Sequence, residues 1–251
     1  MYQNDVDEKI HQLCTNNSEL TDLMKQYEEE NKLLLSQITH EIRNPLTLIY
    51  STLQLIEHKN PDITQINYWS NLKDDMKDVF SLLDQLSEYN HCDTLSIQPV
   101  DLQILLTELV TSFKPYMSDK SISISVNIGR YAKPFIHSYP CDETKIKQVF
   151  TNLIKNAVEA IEDTGEIELK CLADSEHDRL LISVSNTGST IPEENLTKIF
   201  TPFVTTKPNG SGLGLPTAKR IVLSHDGTIT VISEQNKTTF TVALPLTKNN
   251  Q

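Results

Sequence analysis

"SQITHEIRNPLTLIY", residues 36–50, decides how the first third of the chain is read. Ile38, Ile42 and Leu46 recur at the spacing of one helix face, yet His40, Glu41 and Asn44 interrupt the run and Pro45 follows them. A histidine in an amphipathic helix is ordinarily a solvated face residue. The helical pattern extends in both directions: residues 1–91 contain no glycine and only two prolines, Pro45 and Pro61. Upstream, Ile10, Asn17, Met24, Asn31 and Ile38 repeat every seven residues, interleaved with Val6, Leu13, Leu20, Tyr27 and Leu34. That is coiled-coil patterning, and the two asparagines suit a parallel homodimer in which each pairs with its symmetry mate. A single amphipathic helix lying on another domain is the other reading. "HKNPDIT" (58–64) supplies a turn, and Ile66, Trp69, Met76, Phe80, Leu83 and Leu86 then form the apolar stripe of a second helix. Two such helices make a hairpin, and two hairpins make a four-helix bundle. Pro45 removes one backbone hydrogen bond and is expected to kink the first helix just after His40.

Beyond "HCDTLSIQPV" (91–100) the pattern changes, and residues 92–98 read as a linker. A helix is expected over 101–118, strands over "SISISVNI" (121–128) and "PFIHSY" (134–139), and a helix from Asp142. Strands "EIELKCLA" (166–173) and "RLLISVSN" (179–186) follow, then a helix from about Gly212, then strands "GTITVIS" (227–233) and "TTFTVALPL" (238–246). Helices mixed with alternating strands predict an α+β sandwich. The expected domains are therefore a coiled-coil signalling helix (1–36), a helical hairpin (37–92) and a sandwich domain (99–247).

Composition narrows the function classes. Acidic residues outnumber basic ones 34 to 22 in 251, a formal net charge of -12, which argues against nucleic acid or an anionic membrane as partner. No apolar run approaches the ~20 residues of a membrane span. The polar start "MYQNDVDEKI" does not read as a signal peptide. Cys14, Cys92, Cys141 and Cys171 lack CxxC spacing, so reduced thiols in a cytoplasmic setting are expected, with a membrane-anchored parent protein left open.

Two stretches carry chemistry. In "NGSGLGLPTAKRIV" (209–222), Gly210, Gly212 and Gly214 run into a helix start, where crowded N–H groups can hold phosphate; an ordinary glycine-rich helix start is the bland alternative. The preceding "TPFVTTKP" (201–208) reads either as a lid whose Lys207 meets phosphate or as a solvated loop. In "KQVFTNLIKNAVEA" (147–160), Asn152 and Asn156 stack at i,i+4 on one helix face. They are either solvated or oxygen ligands for Mg²⁺, which needs few protein ligands when nucleotide phosphates supply the rest.

Taken in order, "HEIRNPL" (40–46), "NLIKNA" (152–157), "NTGSTIP" (186–192), "IFTPFVTT" (199–206) and "GSGLGL" (210–215) resemble the H, N, first glycine, F and second glycine boxes of two-component sensor histidine kinases. The resemblance covers residues ~30–247 and is nearest to the sporulation-type and nitrogen-regulatory members. It implies a dimeric helical-hairpin four-helix bundle followed by an α/β-sandwich ATP-binding domain of the Bergerat type. His40 would be the phosphoacceptor, Glu41 its hydrogen-bond partner, and Asn44 a residue that orients water for dephosphorylating the response regulator. Asn156 would hold Mg²⁺ with help from Asn152. Lys155, Thr206 and Lys207 would meet the phosphates, and Gly210, Gly212, Leu213, Gly214 and Leu215 would cradle them. Asn186, Gly188 and Ile191 would lie near the adenine.

The implied activity is ATP-dependent autophosphorylation of a histidine, transfer to an aspartate of a response-regulator receiver domain, and phosphatase action on that regulator. Partners implied are a second copy, the regulator, and an upstream sensor or protein inhibitor acting through the N-terminal helix. The family's usual aspartate and second glycine in the first glycine box are Asn186 and Thr190 here. A neutral acceptor in place of a carboxylate is expected to weaken ATP binding by roughly 1 kcal/mol. A degenerate kinase serving as a dimeric scaffold without turnover is the competing reading. A stand-alone ATPase of the gyrase-like type would carry glutamate where this chain has Asn152.

Overall fold

The structure is a computed structural model that describes residues 18–117, 120–207 and 210–246. The chain divides into two compact units, Met1–His91 and Cys92–Gln251. Of the heptad residues, Val6, Ile10, Leu13 and Asn17 lie outside the described residues, as does Cys14, and the side chains of Leu20 and Met24 are not described either.

The first unit is a helical hairpin. Helix α1 (Ser18–Lys59) runs through Pro45 without a break, a 3₁₀ turn spans Pro61–Gln65, and α2 (Trp69–Asn90) returns. The turn sits at Pro61 because proline fixes φ at a helix start and has no N–H to lose there. Leu53, Met76 and Leu83 are buried between the two helices, and Tyr50 meets Phe80 edge to face with ring centres 5.9 Å apart. Asn90 Nδ2 donates to the Lys32 carbonyl at 2.7 Å, and Lys73 pairs with Glu57 at 2.7 Å. The stripe expected on the second helix is seen from Trp69 to Leu86, but Ile66 lies before the helix and is exposed.

A second apolar stripe has no partner within the hairpin. Leu34, Ile38, Ile42 and Ile49 on α1, with Leu72, Val79 and Leu82 on α2, are all exposed. Tyr27 continues that stripe upstream. Among the described residues no helix is long and apolar enough to cross a membrane.

The second unit is an α/β sandwich. Its elements are β1 (Gln98–Val100), α3 (Leu102–Phe113), β2 (Ser121–Ile128), α4 (Lys133–Ile136), β3 (Tyr139–Cys141), α5 (Glu143–Glu159), β4 (Thr164–Asp174), β5 (Arg179–Thr187), α6 (Glu193–Leu196), α7 (Gly214–Ser224), β6 (Thr228–Glu234) and β7 (Lys237–Pro245). The main sheet has the order β2-β4-β5-β7-β6, antiparallel except for the β2–β4 pair, while β1 and β3 form a small separate ladder. Strand alternation sends Ile167, Leu169 and Cys171, then Leu180, Ile182 and Val184, then Phe240, Val242 and Leu244 into one core. Against that face lie α3 (Leu102, Leu106, Leu109), α5 (Ile146, Phe150, Leu153) and α7 (Ile221, Val222). Cys92 is buried in this core and Asp93 accepts from Arg220 at 3.2 Å, so the second unit is already under way at residue 92.

One expected strand is not there. "PFIHSY" forms the helical turn α4 plus the first residue of β3, because Pro134 occupies the first turn of a helix, where its missing N–H costs nothing. The helix expected over 101–118 is α3 followed by a 3₁₀ turn at Lys114–Met117, and α7 begins at Gly214 instead of Gly212.

Candidate functional site

At one end of the sheet the inward-facing series turns polar. After Leu180, Ile182 and Val184 the next inward position of β5 is Asn186, and before Phe240 the inward position of β7 is Thr238. The two are paired in register and each is 3% exposed. Asn186 Nδ2 donates to the Thr187 carbonyl at 2.9 Å, which leaves Oδ1 to accept. The Thr238 and Ser233 hydroxyls meet at 2.7 Å, and Ser233 Oγ accepts the Ile191 N–H at 2.8 Å, so Ile191 is tied to the same polar end. Sequence reading did not single out Thr238. The signal was there, since stepping back two residues from Phe240 lands on it.

Gly188 follows directly, with φ of +122°, and a side chain on it would come within 2.4 Å of the Ala160 carbonyl at the end of α5. The Ser189 N–H donates to that same carbonyl at 3.0 Å. The close approach that only glycine allows is thus between two backbone segments.

Helices α5 and α7 pack against each other and carry the rest. Asp142 caps α5: its carboxylate accepts from the N–H groups of Lys145 (3.0 Å) and Ser96 (2.8 Å). Burial pushes that carboxyl up, but these donors outweigh it and hold the group below its ordinary value. The Asp142 N–H donates to Nε2 of buried His225 at 3.1 Å, and His225 Nδ1 lies 2.8 Å from the Ile221 carbonyl. With Nε2 accepting, Nδ1–H donates, so one imidazole joins the start of α5 to the end of α7. Farther along α5, Asn152 Nδ2 donates to the Gly214 carbonyl at 3.0 Å and fixes the start of α7 against α5.

Leu213 precedes that helix start and has no polar side chain with which to cap it. The Leu213 N–H donates to Ser211 Oγ at 3.2 Å, and the first intrahelical bond runs from the Thr217 N–H to the Leu213 carbonyl. Pro216 has no N–H, so Gly214 and Leu215 present the donors of the first turn at the positive end of the helix dipole. Gly212 has φ of +68°, and its carbonyl accepts the Phe203 N–H at 3.1 Å. A side chain on Gly210 would crowd Thr205, Leu213 is buried, and Leu215 packs against the core.

Lys207 Nζ donates to Asn156 Oδ1 at 3.0 Å and pairs with the Glu159 carboxylate. Two oxygens one helical turn apart on α5 therefore hold a positive charge. Glu159 was not among the residues expected from sequence, although its i+3 spacing from Asn156 indicates a shared face. Lys155 and Thr206 are exposed. In the other unit, His40, Glu41 and Asn44 are exposed along α1, with Asn44 one turn beyond His40. Arg43, between them, is drawn to Asp84 of α2 at 2.8 Å.

Comparisons with known proteins fit this arrangement. A model of the histidine kinase-, DNA gyrase B- and HSP90-like ATPase domain matches residues 141–248. Sporulation kinase C of Bacillus subtilis is 32% identical over 214 residues, which are 85% of this chain and 48% of that protein. Full-length ShkA in complex with AMPPNP is similar in structure, with a TM-score of 0.74 and 26% identity over 86% of this chain and 46% of that one. The catalytic domain of the histidine kinase ThkA gives a TM-score of 0.54 and 30% identity over 62% of this chain and 99% of that domain. ThkA in complex with the response regulator protein TrrA gives 0.61 and 26%, over 92% and 68%. This chain thus spans about half the length of sporulation kinase C and of ShkA.

Proposed function

Since the chain belongs to the sensor histidine kinases, we propose that it phosphorylates its own His40 from ATP and passes the phosphoryl group to an aspartate of a response-regulator receiver domain. The observation that carries this reading is the uncapped start of α7, where Gly214 and Leu215 offer N–H groups beside the Asn152–Asn156 face of α5. The donor set suits the nucleotide. Asn186 Oδ1 is the acceptor for an amine on the base, and Asn156 with Glu159 already holds a cation in the form of Lys207. Asn156 would hold Mg²⁺, which supplies charge neutralisation at the phosphates. Lys207, released from Asn156, is then free to meet a phosphate oxygen. Asn152 acts by holding the helix start in place.

His40 does the chemistry through Nε2, whose lone pair forms the N–P bond as the bond from the γ-phosphorus to its bridging oxygen breaks and ADP leaves. Glu41 accepts a hydrogen bond from Nδ1–H, keeps Nε2 unprotonated and takes the proton as the phosphorylated ring becomes neutral. Asn44, one turn on, orients water for removing the phosphoryl group from the regulator. Exposure of all three side chains in the hairpin supports these roles.

We also assign a second copy of the chain to the exposed stripe of Ile38, Ile42, Ile49, Leu72, Val79 and Leu82. The setting is cytoplasmic, in keeping with the unbridged thiols of buried Cys141 and Cys171. An upstream sensor or inhibitor would act through α1.

The test is incubation with γ-³²P-ATP and Mg²⁺, comparing the chain with His40→Gln. Acid-labile, alkali-stable label that is absent from the variant is the expected result. Label persisting in His40→Gln would refute the acceptor, and a folded chain that does not bind Mg-ATP would leave the scaffold reading in its place. Light scattering at micromolar concentration gives a dimer mass; a monomer would refute the assignment of the stripe.

A further inference from the structure

Helix α5 ends among charges of the unfavourable sign. Its last turn contains no basic residue, while Glu159, Glu162 and Asp163 lie at the end where the helix dipole is negative. The cation suited to that end comes from outside the helix. Lys120, just ahead of β2, donates from Nζ to the Ile161 carbonyl at 2.5 Å and to the Val158 carbonyl at 3.5 Å. We propose that Lys120 is a positioning residue of the nucleotide site, acting through the end of α5. This rests on the ATP reading above and adds a residue that none of the five motifs contains.

Three observations tie Lys120 to the site. The Ala160 carbonyl, between the two that Lys120 engages, carries the glycine loop: the Ser189 N–H donates to it at 3.0 Å and Ser189 Oγ at 3.2 Å. A Cβ on Gly188 would come within 2.4 Å of the same oxygen, so this loop and the end of α5 must shift together. The last turn also closes on the residue assigned to Mg²⁺, because the Ala160 N–H donates to the Asn156 carbonyl at 3.1 Å. Lastly, Lys120 is half-buried and, among the described residues, pairs with no carboxylate; both of its Nζ contacts are to carbonyls of this helix end. The Ser121 N–H donates to the Asp163 carbonyl at 2.8 Å and holds the backbone beside Lys120 to the same turn.

An ammonium shared by two carbonyls fixes their spacing, and its bonds are charge-assisted. Methionine at 120 keeps the length of the side chain but offers neither charge nor donor. The Val158 and Ile161 carbonyls then lose Lys120 as donor, and the end of α5 relaxes. Ala160 moves with it, and so does the loop that rests on Ala160. Arginine at 120 restores both the charge and the donors, so it separates the electrostatic role from simple filling of space.

Calorimetric titration of the full chain with Mg-ATP, for wild type, Lys120→Met, Lys120→Arg and Tyr139→Phe, tests this, with urea unfolding of each. Tyr139→Phe is the structural control: it removes the 2.7 Å bond to the Pro245 carbonyl, at the end of the β5–β7 pairing opposite Asn186. Lys120→Met is expected to bind Mg-ATP about fivefold more weakly, and Lys120→Arg to stay within about twofold of wild type. Tyr139→Phe should unfold at lower urea yet bind as wild type does. Wild-type affinity in folded Lys120→Met, or the same loss in Tyr139→Phe as in Lys120→Met, overturns the proposal. If Lys120→Met does not fold, amine labelling of wild type decides. Coupling between the two places is reciprocal, so bound Mg-ATP should slow acetylation of Lys120 by an N-hydroxysuccinimide ester, and an unchanged rate overturns the proposal. Failure of folded wild type to bind Mg-ATP overturns the ATP reading itself and this inference with it; normal wild-type binding with an unaffected Lys120→Met overturns this inference alone.

Discussion

Replacing Gly212 with alanine isolates the loop geometry from the rest of the nucleotide site. Gly212 sits at φ of +68°, a conformation that costs an L-residue about 1–2 kcal/mol. The added Cβ would lie 2.6 Å from the Phe203 carbonyl carbon and 2.7 Å from the Val204 nitrogen. Both are backbone atoms, so no side chain can swing away and the two strands of the loop must part. Parting them breaks the 3.1 Å bond from the Phe203 N–H to the Gly212 carbonyl, worth about 0.5–1.5 kcal/mol. Together these place the native loop about 1.5–3.5 kcal/mol higher, which lowers Mg-ATP affinity by about 10- to 300-fold if that loop is the binding form. Gly214→Ala is the matched control. Its Cβ would meet Asn152 at an ordinary 3.6 Å, and its φ is not in the left-handed region, so affinity should stay within about threefold. Calorimetry with Mg-ATP measures both variants, and urea unfolding checks that the sandwich persists. Equal affinities for Gly212→Ala and Gly214→Ala would refute the reasoning.

Other consequences follow from the buried joints of the sandwich. His225→Ala strips the acceptor from the buried Asp142 N–H and should destabilise the second unit by about 1–3 kcal/mol in urea unfolding, beyond any cavity effect; an unchanged midpoint would show that the joint is not needed. The Asp142 carboxyl, held below its ordinary value, contributes stability that is full above the unfolded value of 3.8 and is lost as pH falls through the lower folded one. Unfolding followed from pH 6 to pH 2 should therefore show an acid slope that Asp142→Asn flattens. Burial pushes the Cys141 and Cys171 thiols up to about 12, so neither should react with iodoacetamide at pH 8 until urea is added, as mass spectrometry would show.

Much of this molecule is legible from local pattern. The hairpin follows from 3.6-residue periodicity broken at Asn60-Pro61, and β2, β4, β5, β6 and β7 follow from two-residue alternation. "PFIHSY" escaped because alternation over six residues cannot outweigh a proline whose fixed φ starts a helical turn. Asn152 carries a different lesson. Its place beside Asn156 is readable from i,i+4 spacing, but its bond to the Gly214 carbonyl joins residues 62 apart and leaves no trace in local sequence.

The sequence by itself determined the order of the elements, the five motifs and the identity of the residues that can accept or donate, because these depend on side-chain chemistry and short-range spacing. Only the tertiary structure decided which of them act together. Pairing β5 with β7 in one register brought Asn186 opposite Thr238, and the loop ahead of α7 set Lys207 against Asn156 and Glu159 of α5. The orientation of the Asn186 amide belongs to the same class. Its Nδ2 is taken up by a carbonyl 2.9 Å away, and a letter in a sequence specifies an amide without specifying which of its ends the backbone engages.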